Sequence, residues 1–342
     1  MIHRGELRQG WIIAGAMGVV LAASADAFAW GPATHVSIAG TVLDQLSILP
    51  AAIAVLLARH RFSFLYGNIA ADIVFAKRWS RVKQFCHHWS TAFGLLDSAE
   101  DEPAQAFAYG YLSHLAADTV AHGKFVPRQV MLCDCGVNFG HFYWELRADS
   151  EETEGTWSTV REVIDVDHDR HHASLSGHIR DTFLSYELNR LIFEQTNALA
   201  ARPGFRRTVS TWSRFSRFPL AAEVMEGYRG ECVDRVQSLL ARGRLSPVIR
   251  EDPNGTSVLM QVGIRRRELR EMHLGGVSRE WRRREATLAG DPGRATRVAS
   301  PGDVSDTGME LDPPVGTENA PRLRGDVQTS KMNEPGQSGA GV

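Results

Sequence analysis

The 342-residue sequence predicts an all-α protein, and three observations carry that expectation. Apolar residues recur three and four apart through most of positions 30–288, the spacing of one buried helix face. No block alternates apolar and polar residues as a half-buried strand does. Histidines and carboxylates recur four apart inside apolar runs, so on a helix they share one side. The expected organisation is a signal segment over residues 1–29, a single helical domain over 30–288 and a disordered tail over 289–342. A hydrophobic content of 43% and a charged content of 23% are ordinary for a globular domain. A net charge of -2 selects no partner.

Arg4 and Arg8 precede an apolar run over residues 11–23, and Ala27-Phe28-Ala29 supplies the small-x-small pattern of a signal-peptidase site. The run is shorter than the ~20 residues that span a bilayer, so it reads as a leader cut between Ala29 and Trp30. The protein is therefore expected to be exported, to a periplasm or outside the cell. Cleavage frees the α-amino group of Trp30, which with its own carbonyl oxygen can chelate a metal. Pro32 opens a first helix carrying His35. A second helical stretch follows Pro50. Residues 64–74 bury one carboxylate, Asp72, among small and apolar neighbours. His87 and His88 open a segment whose Phe93, Leu95 and Leu96 face a core. Asp101 is a helix N-cap.

The helix that follows contains YGYLSHLAADTVAH, with His114, Asp118 and His122 four apart in an apolar run. Positions four apart advance only ~40° around a helix, so the three make one polar stripe on one continuous helix. Unpaired polar groups there would cost several kcal/mol. Imidazole and carboxylate are the groups zinc binds. The competing reading of the stripe alone is a core histidine paired with Asp118. A loop is expected beyond His122, over residues 123–140, before His141 and Glu145 repeat the four-residue spacing. Further helices are expected over 179–192, with Ile179, Phe183, Tyr186, Leu188, Leu191 and Ile192 making one amphipathic helix, and over 224–240. Four cysteines are too few for a disulfide scaffold, and Cys133 and Cys135 read as buried thiols or disulfide partners.

In chain order the candidate ligands are Trp30, His35, Asp72, His87, His114, Asp118, His122, His141 and Glu145. This order, after a credible cleavage site, resembles the zinc-dependent phospholipase C family, whose ligand order is shared with single-strand nucleases of related fold. The resemblance covers residues 30–150 and implies two to three Zn²⁺ ions. One would be held by Asp72, His87, His114 and Asp118, and a second by His122, His141 and Glu145. The third would take the Trp30 amine and carbonyl, His35 and the other oxygen of Asp118. Asp72 would orient and deprotonate the attacking water. The three-residue spacer between Asp118 and His122 is shorter than in the best-known members. Of the doublet, His87 is the expected ligand, from its spacing to Asp72.

The resemblance implies a phosphoesterase, with phospholipid head-group release favoured. The rivals are a single-strand nuclease or nucleotidase of the same fold, and a non-catalytic zinc-stabilised binding module. The expected partners are a phospholipid or other phosphoester substrate and a transient membrane surface. No stable nucleic-acid partner is expected, and the chain reads as a monomer. A second polar cluster, Asp165, Asp167, His168, His171 and His172, reads as a solvated face. The arginines over 265–284 alternate with glutamates and read as intrahelical pairs.

Overall fold

The computed structural model describes residues 30–75, 85–133, 137–179, 182–216, 218 and 220–271, and within them every regular element is helical. The leader and the tail lie outside the described residues. In chain order the α-helices are α1 (Pro32–Asp44), α2 (Ala51–Arg59), α3 (Arg61–Ala70), α4 (Trp89–Asp97) and α5 (Glu102–Val120). They continue as α6 (Val126–Leu132), α7 (Val137–Ser150), α8 (Glu154–Asp165), α9 (Asp169–His178) and α10 (Tyr186–Ala200). The last three are α11 (Pro203–Arg214), α12 (Ala222–Arg242) and α13 (Thr256–Glu271). Among the described residues no helix is long and apolar enough to cross a membrane.

The stripe sits on the central helix. Asp101 starts it as expected: its Oδ1 accepts from the Ala104 amide at 2.9 Å. From Gly110 to Val120 every residue of α5 is buried, so this helix is enclosed rather than one-sided. Helices α3, α4 and α12 pack around it, and α1 bridges α3 and α12. The α3–α5 contact is backbone against backbone. A Cβ on Gly110 would lie 2.1 Å from the Phe64 carbonyl oxygen, and one on Gly67 would lie 2.1 Å from that of Phe107. Carbonyls on packed helices cannot turn aside, so neither position has room for a side chain. Gly110→Val is expected to cost ~3 kcal/mol as overpacking, lowering the melting temperature by about 6–12 °C. A thermal melt unchanged from the parent would contradict this packing.

Three expectations are corrected. The run from His114 to His122 stays helical but is not one α-helix. At Ala121 it widens into a π-helical turn, Ala121–Phe125, in which the Val126 amide reaches back to the Ala121 carbonyl. Pro127 supplies a reason: it has no N–H to continue an α-helical ladder to residue 123, and is tolerated in the first turn of α6. Next, most of the loop expected over 123–140 is helix: the π turn runs into α6, and α7 begins at Val137.

The phase of α10 is also corrected. Ile179 ends α9, and Ser185 starts a new helix by accepting from the Leu188 amide at 3.2 Å. The buried face is Asn189, Phe193 and Asn197, whereas Phe183, Leu188 and Leu191 are 59%, 42% and 53% exposed. A polar residue wins the interior because Asn189 is fully used. Its Oδ1 accepts from the Phe75 amide at 2.8 Å, and its amide donates to the Leu184 and Ser185 carbonyls.

Candidate metal centre

Helix α5 brings His114 and Asp118 to the middle of the domain, both fully buried. The Nδ1–H of His114 donates to the Asn68 carbonyl at 2.7 Å, which turns the Nε2 lone pair towards Asp118. That Nε2 lies 3.1 Å from Asp118 Oδ2 and 3.1 Å from His87 Nε2. His87 Nε2 is in turn 3.2 Å from both Asp72 Oδ1 and Asp118 Oδ2. Asp72 enters from a 3₁₀ turn, Ala71–Ile73, that follows α3. His87 enters from the turn Phe85–His87, which Tyr111 anchors by donating its hydroxyl to the Cys86 carbonyl. The neighbouring His88 is exposed, so of the doublet only His87 faces inward.

From the other side, His35 of α1 stacks on His114 with ring centroids 3.9 Å apart and places Nε2 3.4 Å from Asp118 Oδ1. Neither ring nitrogen of His35 and neither oxygen of Asp118 has a hydrogen-bond partner, although all are buried. Orphaned polar atoms of this kind are costly unless something binds them. Cations held by His35 Nε2 and by the two oxygens of Asp118 would satisfy three of these four atoms, the other His35 nitrogen carrying the ring proton. Burial pulls the pKa of His35 down to about 4, with His114 adding to the effect, so the imidazole stays neutral and can ligate. Burial pushes Asp118 the other way, but His114, His35 and His87 together hold it well below the usual carboxylate range. Asp118 is thus ionised, with one oxygen towards each neighbour set.

The third group forms where the π turn directs His122 away from Asp118. His122 Nε2 lies 3.0 Å from His141 Nε2, and His141 Nε2 is 2.9 Å from Glu145 Oε1. Burial lowers the pKa of His122 to about 3, so it too is neutral. Its Nδ1–H donates to the Pro253 carbonyl. Residues 252–255 read DPNG, a turn signature, and Asp252 braces the turn by accepting from the Asn254 and Thr256 amides, each at 2.9 Å. Gly255 takes a φ of 56° and lies against His122, where a Cβ would meet the carbonyl oxygen at 2.3 Å. Only glycine fits both the angle and the approach.

The structure thus gathers eight side chains into three groups: His35, His114 and Asp118; Asp72, His87 and His114; and His122, His141 and Glu145. Within each group the ligand atoms lie within 4.8 Å of one another. Nitrogen and oxygen donors in sets of three, with outer hydrogen bonds fixing the tautomers, suit two to three zinc ions. Trp30 is buried against Phe125, with ring centroids 4.5 Å apart, two residues ahead of α1. The start of α1 is held by Asp149, 115 positions from Thr34, which accepts from the Thr34 amide at 2.9 Å and its hydroxyl at 2.7 Å. Burial raises the pKa of Asp149 to about 6. His35, Asp72 and Glu145 line a cavity of ≈ 470 Å³, whose lining also includes Phe193, Leu199 and Val209.

Outside this centre the solvated-face expectation fails for three of the five residues of the second cluster. Asp165 and Asp167 are exposed, but His168, His171 and His172 are buried. His168 stacks on Tyr66 at 3.5 Å and His171 on Phe107 at 4.5 Å. His172 bridges the hydroxyls of Tyr66 and Tyr186, each at 2.7 Å. These are satisfied core histidines. Cys133 is disulfide-bonded, while Cys86 and Cys232 are buried and form no disulfide. Arg266 is buried and donates to the Cys133 carbonyl, whereas the arginines from 279 onward lie outside the described residues.

Sequence reasoning missed Asn68, Tyr111, Asp149 and the turn of Pro253 and Gly255. The DPNG signature marks a turn, but its target cannot be read from sequence.

No curated protein and no solved structure matches this chain. The family model for zinc dependent phospholipase C matches residues 34–190, a span that contains all eight clustered side chains. With the helical fold and the three ligand groups, that match places in this chain a zinc-dependent phospholipase C family domain, over residues 34–190, and makes it a zinc-dependent phosphoesterase of the phospholipase C and nuclease superfamily.

Proposed function

We propose that the substrate is a phospholipid and that the chain releases its head group by hydrolysis of the phosphoester. The observation that supports this is the lining of the cavity, which includes the metal-site residues His35, Asp72 and Glu145 together with the apolar Phe193, Leu199 and Val209. A ligand that fills it meets metal-binding and apolar side chains together, as the phosphate and apolar body of a phospholipid would. Trp30, His35, Asp72, His87, His114, Asp118, His122, His141 and Glu145 are the proposed ligands, the Trp30 amine after removal of the leader. Zinc held there supplies charge neutralisation at the phosphoryl group and lowers the pKa of water. Three carboxylates against two or three divalent ions leave the centre net positive, as an anionic ester requires.

Within this site Asp72 is the proposed base. Its carboxylate lies at the cavity wall, where it can accept a proton from the attacking water. Export after Ala29 fits the family and would expose the Trp30 amine. Zinc-loaded mature protein assayed on phosphatidylcholine micelles and on single-stranded DNA tests the substrate. Preferred release of phosphocholine is the expected result. Turnover of DNA alone would transfer the chain to the nuclease branch, and inactivity on both while zinc-loaded would favour the binding module.

A further inference from the structure

We infer that α11 and the turn that follows it dock the enzyme onto an anionic phospholipid surface, with the cavity mouth facing the lipid. The inference rests on the phospholipid reading above and adds the surface through which that substrate is reached. Between Glu194 and Glu223 the chain has no acidic residue and five arginines, Arg202, Arg206, Arg207, Arg214 and Arg217, although its net charge is -2. Arg206 is used internally: it pairs with Glu154 at 2.6 Å and lies 5.0 Å over the Trp157 ring. Arg202, Arg207 and Arg214 are exposed. Beside them Trp212 is 46% and Phe215 is 82% exposed.

Arginines with adjacent exposed aromatics are what an interfacial helix uses. The rings enter the boundary between head groups and acyl chains, and the guanidinium groups stay at head-group level. Helix α11 is placed to make such a contact count. It packs on α7, the helix of His141 and Glu145, and Trp212 meets the Tyr143 ring edge-on at 5.1 Å. Arg207 and Arg214 line the same cavity as His35 and Asp72. A lipid drawn from the surface beneath α11 therefore enters past arginines and reaches the metal centre without crossing bulk water.

The arginines alone would suit a nucleic-acid strand equally well. Strand binding uses several aromatic faces in series along a groove, as platforms for successive bases. Here the exposed rings beside the arginines, Trp212 and Phe215, lie three positions apart at the end of one helix, a single patch rather than a series of platforms. Charge and apolar character together fit lipid better.

The test is co-sedimentation of the zinc-loaded mature protein with vesicles of phosphonate lipids, whose charge is kept but whose scissile bond is not hydrolysed. Vesicles of the phosphatidylcholine analogue are compared with an equal mixture of the phosphatidylcholine and phosphatidylglycerol analogues. The parent should prefer the anionic mixture, and salt should weaken that preference. Replacing Arg207→Gln and Arg214→Gln together should weaken binding ~25-fold, about fivefold for each charge near the surface. Phe215→Ser, at a position too exposed to affect folding, should weaken binding ~10-fold. It should also slow hydrolysis of ordinary anionic vesicles while leaving the rate on soluble bis(p-nitrophenyl) phosphate unchanged. Vesicle binding unaffected by either change, or displacement of bound vesicles by a single-stranded oligonucleotide, would overturn the inference. Anionic-vesicle binding that depends on these residues, in a protein that hydrolyses no lipid, would uphold the docking surface and remove the substrate reading.

Discussion

Asp118→Asn is expected to lose at least one zinc ion together with the activity that depends on it. Both Asp118 oxygens are buried without hydrogen-bond donors, and they face His35 on one side and His87 and His114 on the other. An amide offers one neutral oxygen in place of two charged ones, and its NH₂ would point at imidazole nitrogens or at a cation. Removing an outer partner of a ligand already costs ~10–100-fold in metal affinity or activity. Losing a ligand shared by two groups should exceed that range. Because metal binding contributes to folding free energy, the melting temperature should also fall towards that of the chelated parent. Elemental analysis, steady-state rates and thermal melts read the three effects. A variant with the parent's zinc content and rate would show that Asp118 bridges nothing.

Asp72→Asn should behave differently, and the difference separates catalysis from metal binding. Asp72 stands at the edge of its group and on the cavity wall, 3.2 Å from His87 Nε2. Asparagine keeps an oxygen in that place but cannot take a proton. At saturating zinc the variant should therefore retain most of its metal while its rate falls by ~10²–10⁴, the range of general-base catalysis. Parent-like hydrolysis would assign the base elsewhere. Loss of zinc in parallel with the rate would make Asp72 a ligand first.

Much of this site was readable because its side chains ride on helices, where a four-residue spacing is a direction in space. His114 with Asp118 and His141 with Glu145 are such pairs, and in the structure each pair meets. The π turn escaped that reading, since it depends on a proline five positions beyond His122 rather than on the ligands. The atoms that aim the ligands were also hidden, because the carbonyls of Asn68 and Pro253 carry no letter of their own. In the fold, apolar letters misled where polar ones had better partners. Asn189 took the interior of α10 from Leu188 and Leu191, and His168, His171 and His172 were buried by stacking and hydroxyl partners. Gly67 and Gly110 carry no letter pattern that marks a helix contact, yet their missing side chains let α3 and α5 touch.

The grip of Pro253 and Gly255 on His122 also orders events in time. The family match ends at residue 190, yet the third ligand group is completed by a turn more than 130 positions after His122. Contacts of such long separation form only after the intervening chain has been gathered, and chain closure over that length is entropically costly. A chain emerging N-terminus first can therefore assemble the His114 and Asp118 neighbourhood from segments already made, while His122 remains unaimed until the end of the domain arrives. Full metal loading then serves as a checkpoint on completeness: a fragment cut before the DPNG turn would fold in part but stay catalytically silent.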